Sequence, residues 1–286
     1  MNALELERVS RDFATPDGRL YRALDDISLT VPAGAFVAVV GPSGCGKSTL
    51  LNIVAGLLAP TSGVVRVTGE TLVGLNRHAT YMFQQDALLP WKTVRDNVAL
   101  GLTLGGASKT DAHAQADAWL TRVGLAGFAA HYPAQLSGGM RKRVAMAQNW
   151  MLDRGMVLMD EPFSALDVHT RQRMETELLA IWEGSGAGHS AAPAASPAAA
   201  SPAARKTVVF VTHDLEEAIA LADAVVILSA GPAAHVVAQH DVALDRPRDL
   251  MELRTTAAFV DLYRSVWAVL REEVIKSHRA AEARHG

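Results

Sequence analysis

Residues 35–40, AFVAVV, run straight into GPSGCGKS at 41–48 and then into a segment with helical apolar spacing from 47 to about 58. A continuous apolar run of that kind suits a strand buried on both faces. The order strand, glycine-rich loop, helix restricts the chain to an α/β fold with a mainly parallel sheet. Residues 41–48 fit the pattern G-x-x-x-x-G-K-[ST] in the place where it carries a mechanism. Gly41, Gly44 and Gly46 let the loop bend, so backbone N–H groups can close on phosphate oxygens with no Cβ in the way. Pro42, Ser43 and Cys45 fill the free positions, and Cys45 needs no catalytic role. The helix opening at Lys47, with Thr49 in its first turn, points its positive dipole end at the same phosphates. Lys47 is expected to reach the β- and γ-phosphates, and the Ser48 hydroxyl to bind Mg2+.

A second half of the site lies at 156–161, MVLMDE, four apolar residues followed by two acids. Ligands of open α/β sheets bind at the carboxyl ends of the strands, which is where these acids fall. Asp160 is expected to hold Mg2+ through water and Glu161 to polarise the attacking water as general base.

Further strands are predicted at 4–9 and 27–31, with a turn at Asp17-Gly18, and at 64–67, 156–159, 208–211 and 225–228. Residues 86–155 are mostly helical by composition, 111–123 among them, and form an insertion into the α/β core. Residues 184–204 hold ten Ala, four Ser and three Pro, and prolines at that spacing forbid a helix. A disordered or extended loop is expected there, a tolerated surface insertion. Apolar positions Phe259, Leu262, Tyr263, Val266, Leu270 and Val274 predict an amphipathic helix packed on the parent domain. The expected organisation is one domain over 1–245 with a helical extension over 246–286.

Twenty-seven Lys plus Arg against thirty Asp plus Glu leave a net charge of −3, so nucleic acid is not an expected partner. The one basic cluster, Arg141-Lys142-Arg143, is expected to be a solvated helix face. A single cysteine excludes an internal disulfide framework. No apolar run is long enough for a membrane helix, and MNALELERVSRDF has no signal-peptide core, so the expectation is a chain that docks on a membrane protein rather than spanning a membrane.

Residues 136–140, LSGGM, decide which kind of nucleotide machine this is. Ser137 can cap a helix starting near Met140, and Gly138 and Gly139 expose backbone N–H groups, a second anion site at a helix N-terminus. Two phosphate-binding ends so far apart indicate that each serves a different chain. With GPSGCGKS and MVLMDE in order before and after it, this text resembles the ATP-binding cassette family, the ATPase subunits of ABC transporters, over about residues 4–240. The resemblance implies a P-loop NTPase (RecA-like) core with an N-terminal antiparallel β subdomain and an inserted helical subdomain. It implies ATP and Mg2+ as cofactors. It also implies a dimer of two such chains, in which Ser137, Gly138 and Gly139 of one cover the γ-phosphate held by the other. By the same resemblance, Gln84 in YMFQQ is the glutamine that touches metal and water and senses the membrane partner. Asp167 in SALD lies in the loop crossing the dimer interface, and His213, after TVVFVT, contacts the γ-phosphate. The family stacks an early aromatic ring on adenine; Phe13 is the better match and Tyr21 the alternative. The signature departs from the family at Met140, where Gln is usual.

LSGGMRKRV, DEPFSALD and THDLEEAIALADAVVILSAGP look most like importers of the nitrate, sulfonate, taurine and bicarbonate group. That implies permease subunits, an extracytoplasmic binding protein acting indirectly, and a peripheral place on the cytoplasmic face of the inner membrane. ALLPWKTV at 87–94 is the expected groove for a permease helix. The competing reading is a soluble ATPase of the same family in DNA repair or translation. Repair types carry a coiled coil or zinc module between loop and signature, and neither heptads nor a Cys cluster occurs there. A GTPase-like switch would need an N-K-x-D guanine reader, which is absent.

Overall fold

The computed structural model describes residues 1–184 and 205–285. The Ala/Pro/Ser-rich stretch, apart from Gly184 at its start, lies outside them.

Strands β1 (Asn2–Ala14) and β2 (Leu20–Pro32) form a hairpin. Its turn falls at the expected Asp17-Gly18, with Gly18 at φ 80. With β4 (Ser62–Val67) and β5 (Glu70–Thr71) they make an antiparallel sheet in the order β2-β1-β4-β5. The second sheet has the order β10-β9-β3-β8-β7-β6, drawn from β3 (Phe36–Val40), β6 (Ala79–Met82), β7 (Met156–Asp160), β8 (Thr207–Val211), β9 (Ala224–Leu228) and β10 (Val236–Asp241). It is parallel except for β10.

Apolar residues on alternate faces of this sheet feed two separate cores. Phe36, Ala38 and Val40 of β3 enter one; Val37 and Val39 enter the other. Both faces are therefore covered, and every residue of β3, β7, β8 and β9 is buried. The first core also takes in helices α2 (Val94–Leu104), α3 (Lys109–Arg122) and α4 (Gly138–Met151) between β6 and β7, and α5 (Val168–Gly184) and α6 (Leu215–Leu221) after it. Phe36 packs edge-on to Trp182 at 5.5 Å and to Phe210 at 5.8 Å at its centre. Truncating such a ring to Ala costs about 3–5 kcal/mol. Short α7 (Leu250–Leu253) and long α8 (Ala257–His285) close the chain. Phe259, Val266 and Leu270 of α8 are buried in the same core, the apolar stripe that spacing predicted.

Helix α1 (Lys47–Val54) is shorter than expected. Gly56 ends it, at φ 70, with its N–H on Ile53 O and the Leu57 N–H on Asn52 O. This is a Schellman closure. A Cβ at Gly56 would lie 1.9 Å from Gly74 O, so no other residue fits. The basic cluster also departs from expectation. Lys142 is buried and ion-paired with Asp86 at 3.0 Å, Arg141 reaches the same carboxylate at 3.1 Å, and Arg143 pairs with Glu177 at 2.9 Å. It is an internal clasp, because acids brought from Asp86 and α5 meet it in space. No helix among the described residues is long and apolar enough to cross a membrane.

Candidate functional site

Loop 41–46 sits at the carboxyl end of β3 and opens α1. Lys47 is buried, and its Nζ donates to Gly41 O at 2.9 Å and Pro42 O at 3.1 Å. Gly46 stands at φ 99, and a Cβ there would meet Leu24 Cδ2 at 2.8 Å. A Cβ at Gly41 would meet Cys45 Sγ at 2.8 Å and Leu228 O at 3.0 Å. Neither site tolerates a side chain, whereas a Cβ at Gly44 (φ 76) would meet nothing, leaving that side of the loop open for an incoming group. Burial pushes the Cys45 thiol up, so it stays protonated and unreactive.

The ends of β7 and β6 meet the start of α1. Ser48 Oγ donates to Asp160 Oδ1 at 3.0 Å, and Tyr81 Oη donates to Asp160 Oδ2 at 3.3 Å. Burial raises the Asp160 carboxyl above the usual range, more than these two hydrogen bonds lower it. The Tyr81 phenol is pushed up by burial and by Asp160, so it remains a donor. A hydroxyl beside a half-desolvated carboxylate is the donor set Mg2+ accepts when phosphates complete its shell. Sequence reasoning missed Tyr81; its only signal is its place three residues before Gln84 in an unremarkable strand.

Glu161 follows Asp160 in the left-handed region, φ 43. That conformation is strained for a non-glycine residue and persists only where surroundings enforce it. Its N–H donates to Val211 O at 2.9 Å, and its carbonyl accepts the Ser164 hydroxyl at 3.0 Å. The backbone kink turns the Glu161 carboxylate toward two partners from other strands. His213 Nδ1 lies 3.1 Å from Oε2, and Gln84 Nε2 donates to the same oxygen at 3.3 Å. Gln84 is held in turn by Lys142, whose Nζ donates to the Gln84 backbone carbonyl at 2.6 Å. Lys142, too, was missed as a supporting residue, because its partners are distant in sequence. Behind His213, Asp214 caps α6 as expected, accepting from the N–H groups of Glu216 and Glu217. Arg171 bridges Asp214 at 3.0 Å and Glu217 at 3.6 Å.

Ser137 caps α4, its hydroxyl accepting the Met140 N–H at 3.3 Å, with Ser137 and Gly138 exposed at the tip. A Cβ at Gly139 would meet Thr170 Cγ2 at 2.7 Å, so this glycine lets α4 lie against α5. Asp167 is exposed and caps α5 through the Thr170 N–H at 3.0 Å.

Phe13 and Tyr21 face each other across β1 and β2. The Arg11 guanidinium stacks on Phe13 at 4.7 Å, whereas Tyr21 Oη lies beside Gly231. A Cβ at Gly231 would be 3.7 Å from Tyr21 Oη and 3.3 Å from Gly44 O.

A family model described as ABC transporter matches residues 24–164. An ABC transporter ATP-binding protein of Methanocaldococcus jannaschii is 41% identical over 274 residues, 96% of this chain and 93% of the relative. A taurine import ATP-binding protein of Yersinia pestis is 43% identical over 210 residues, covering 73% and 75% of the two chains. A nitrate import ATP-binding protein of Synechococcus elongatus is 40% identical over 248 residues, covering 86% and 83%. Among solved structures, a dimeric ATP-binding cassette in a post-hydrolysis state with ADP and Pi superimposes with a TM-score of 0.68 at 29% identity, over 85% of this chain and 100% of that one. The phosphate loop, the strand-end acids and these likenesses agree: the chain belongs to the ATP-binding subunits of ABC transporters, a family of Mg2+-dependent ATPases.

Proposed function

We propose that this chain energises an importer of small anions, of the nitrate and sulfonate kind, by binding and hydrolysing ATP between two copies of itself. The observation that carries the catalytic reading is the convergence of Gln84 and His213 on one oxygen of Glu161, beside the Ser48–Asp160 pair. Residues 41–49 hold the phosphates through backbone N–H groups and Lys47. Ser48, Asp160 and Gln84 would hold Mg2+, which when bound would neutralise phosphate charge. Glu161 takes the proton of the attacking water, and His213 keeps its carboxylate oriented. Ser137, Gly138 and Gly139 of the second copy close over the γ-phosphate, with Asp167 near the dimer seam. The exposed tip of α4 supports that reading, as does the dimeric state of the solved relative. The anion class rests on the taurine and nitrate import relatives. The permease site in this proposal is residues 87–94, and the 72% exposure of Trp91 supports it; the chain would then work at the cytoplasmic face of a membrane.

The test is the mass of Glu161→Gln with and without MgATP by light scattering. It is expected to shift from monomer to dimer with ATP and to release no phosphate. A variant that stays monomeric at saturating MgATP, even beside its permease, rejects the scheme.

A further inference from the structure

Helix α8 carries one carboxylate that is out of place on an amphipathic helix. Glu273 is 4% exposed although it lies near the chain end, between residues that face solvent. Its Oε2 accepts the Ala230 N–H at 2.8 Å, and Lys276 pairs with Oε1. Burial raises this carboxyl, but Lys276, the Ala230 N–H and nearby His235 together hold it below the usual range, so it is ionised and the hydrogen bond is charge-assisted.

Ala230 begins the turn between β9 and β10, and that turn is the back wall of the phosphate loop. Leu228 O stands where a Cβ at Gly41 would be 3.0 Å away. A Cβ at Gly231 would meet Gly44 O at 3.3 Å, Cys45 Cα at 3.5 Å and Tyr21 Oη at 3.7 Å. The far side of the turn is stitched to β2: Ala233 N–H donates to Arg22 O at 2.7 Å and Asp25 N–H to Ala234 O at 2.8 Å. Ser229 and His235 close the turn on itself, His235 N–H donating to Ser229 Oγ at 3.0 Å. The turn thus touches the loop, the strand carrying Tyr21 and α8, and Glu273 is its anchor on the α8 side.

We propose that Glu273 is a positioning residue for the nucleotide site, seating the 229–235 turn against Gly41–Cys45 and Tyr21, so that α8 is a working part of ATP binding rather than an appendage. Glu273 touches no nucleotide; it acts through Ala230 and Gly231. The inference rests on 41–48 being the phosphate cradle. Lys47→Ala tests that separately, since unchanged ATP affinity there would remove the cradle itself.

The experiment compares steady-state ATP hydrolysis of the full chain with its Glu273→Ala, Glu273→Gln and Lys276→Ala variants, below the melting temperature of each. Loss of a charge-assisted anchor is expected to raise KM for ATP roughly three- to tenfold in Glu273→Ala with kcat within about twofold. Glu273→Gln keeps an oxygen that can accept the Ala230 N–H and should recover most of the affinity. Lys276→Ala, which removes one support of the Glu273 charge but leaves the carboxylate on the Ala230 N–H, should raise KM less than Glu273→Ala does. An unchanged KM in Glu273→Ala, or a fall in kcat alone that tracks lost thermal stability, overturns the proposal. If Glu273→Ala does not fold, Gly231→Ala decides: its methyl presses on Gly44, and a KM equal to that of the parent overturns the proposal.

Discussion

His213 Nδ1 lies 3.1 Å from Glu161 Oε2, although 52 residues separate the two in sequence. The parallel pairing of β7 with β8 creates this approach by setting Asp160 opposite Val211, so the residues after each strand emerge side by side. His213→Ala removes one of two groups that contact Glu161 Oε2, the proposed general base. Its kcat should fall about a hundredfold or more, the scale of a misplaced general base, while ATP affinity changes by less than roughly threefold. Phosphate release and nucleotide titration, measured together, check the split. A proportional loss of affinity would make His213 a binding residue instead.

The two aromatic candidates are separable. Arg11 covers one face of Phe13, and Tyr21 Oη stands by the turn that backs the loop. Tyr21→Ala should therefore weaken ATP binding about tenfold, the scale of one base stacked on an aromatic ring, and Phe13→Ala much less. Titration with ATP and with tripolyphosphate distinguishes base stacking, because only the ATP affinity should respond.

Glu217 supplies a pH dependence of stability. It is buried, its Oε2 accepts the Thr212 hydroxyl at 2.7 Å, and its carboxyl is pushed up to about 7 by burial, with Asp214 and Glu175 adding to the rise. The folded chain keeps this proton to about pH 7, while the unfolded chain loses it near the ordinary value of 4.5. Between those values the folded state binds more protons, so this group makes the fold less stable as pH rises. Glu217→Gln should flatten that decline. Scanning calorimetry at pH 5 and pH 8 should show the variant gaining on the parent at the higher pH. An equal difference at both would mean that Glu217 is ionised throughout.

Trp91 is presented by a loop that Asn97 holds rigid. The Asn97 amide donates to Leu89 O and Lys92 O, both at 3.1 Å, and its Oδ1 accepts the Leu89 N–H at 2.7 Å. A side chain 72% exposed contributes little to the fold, so Trp91→Glu should leave stability within about 0.5 kcal/mol. Uptake by the reconstituted transporter should be lost while the isolated chain still hydrolyses ATP. Loss of both would place Trp91 in the helical core's function rather than in docking.

The local text was enough for the elements whose chemistry is contiguous. The run 35–48 specifies strand, loop and helix start, because burial on two faces, glycine freedom and the P-loop lysine all lie within fourteen consecutive residues. The Ser137 and Asp214 caps were equally legible, since a cap bonds to N–H groups two or three residues on. Strand β6 and helix α5 carry weaker patterns and escaped notice. Whatever depends on groups distant in the chain was set by tertiary structure alone. Lys142 and Arg141 read as solvated charges until Asp86 is folded beside them. Tyr81 is an ordinary strand residue until β7 brings Asp160 to its hydroxyl. Glu273 is one acid among several on a surface helix until the β9–β10 turn covers it. Sequence spacing encodes which face of an element is apolar. It does not encode which partner a buried polar group will meet, because that partner is chosen by the packing of whole elements.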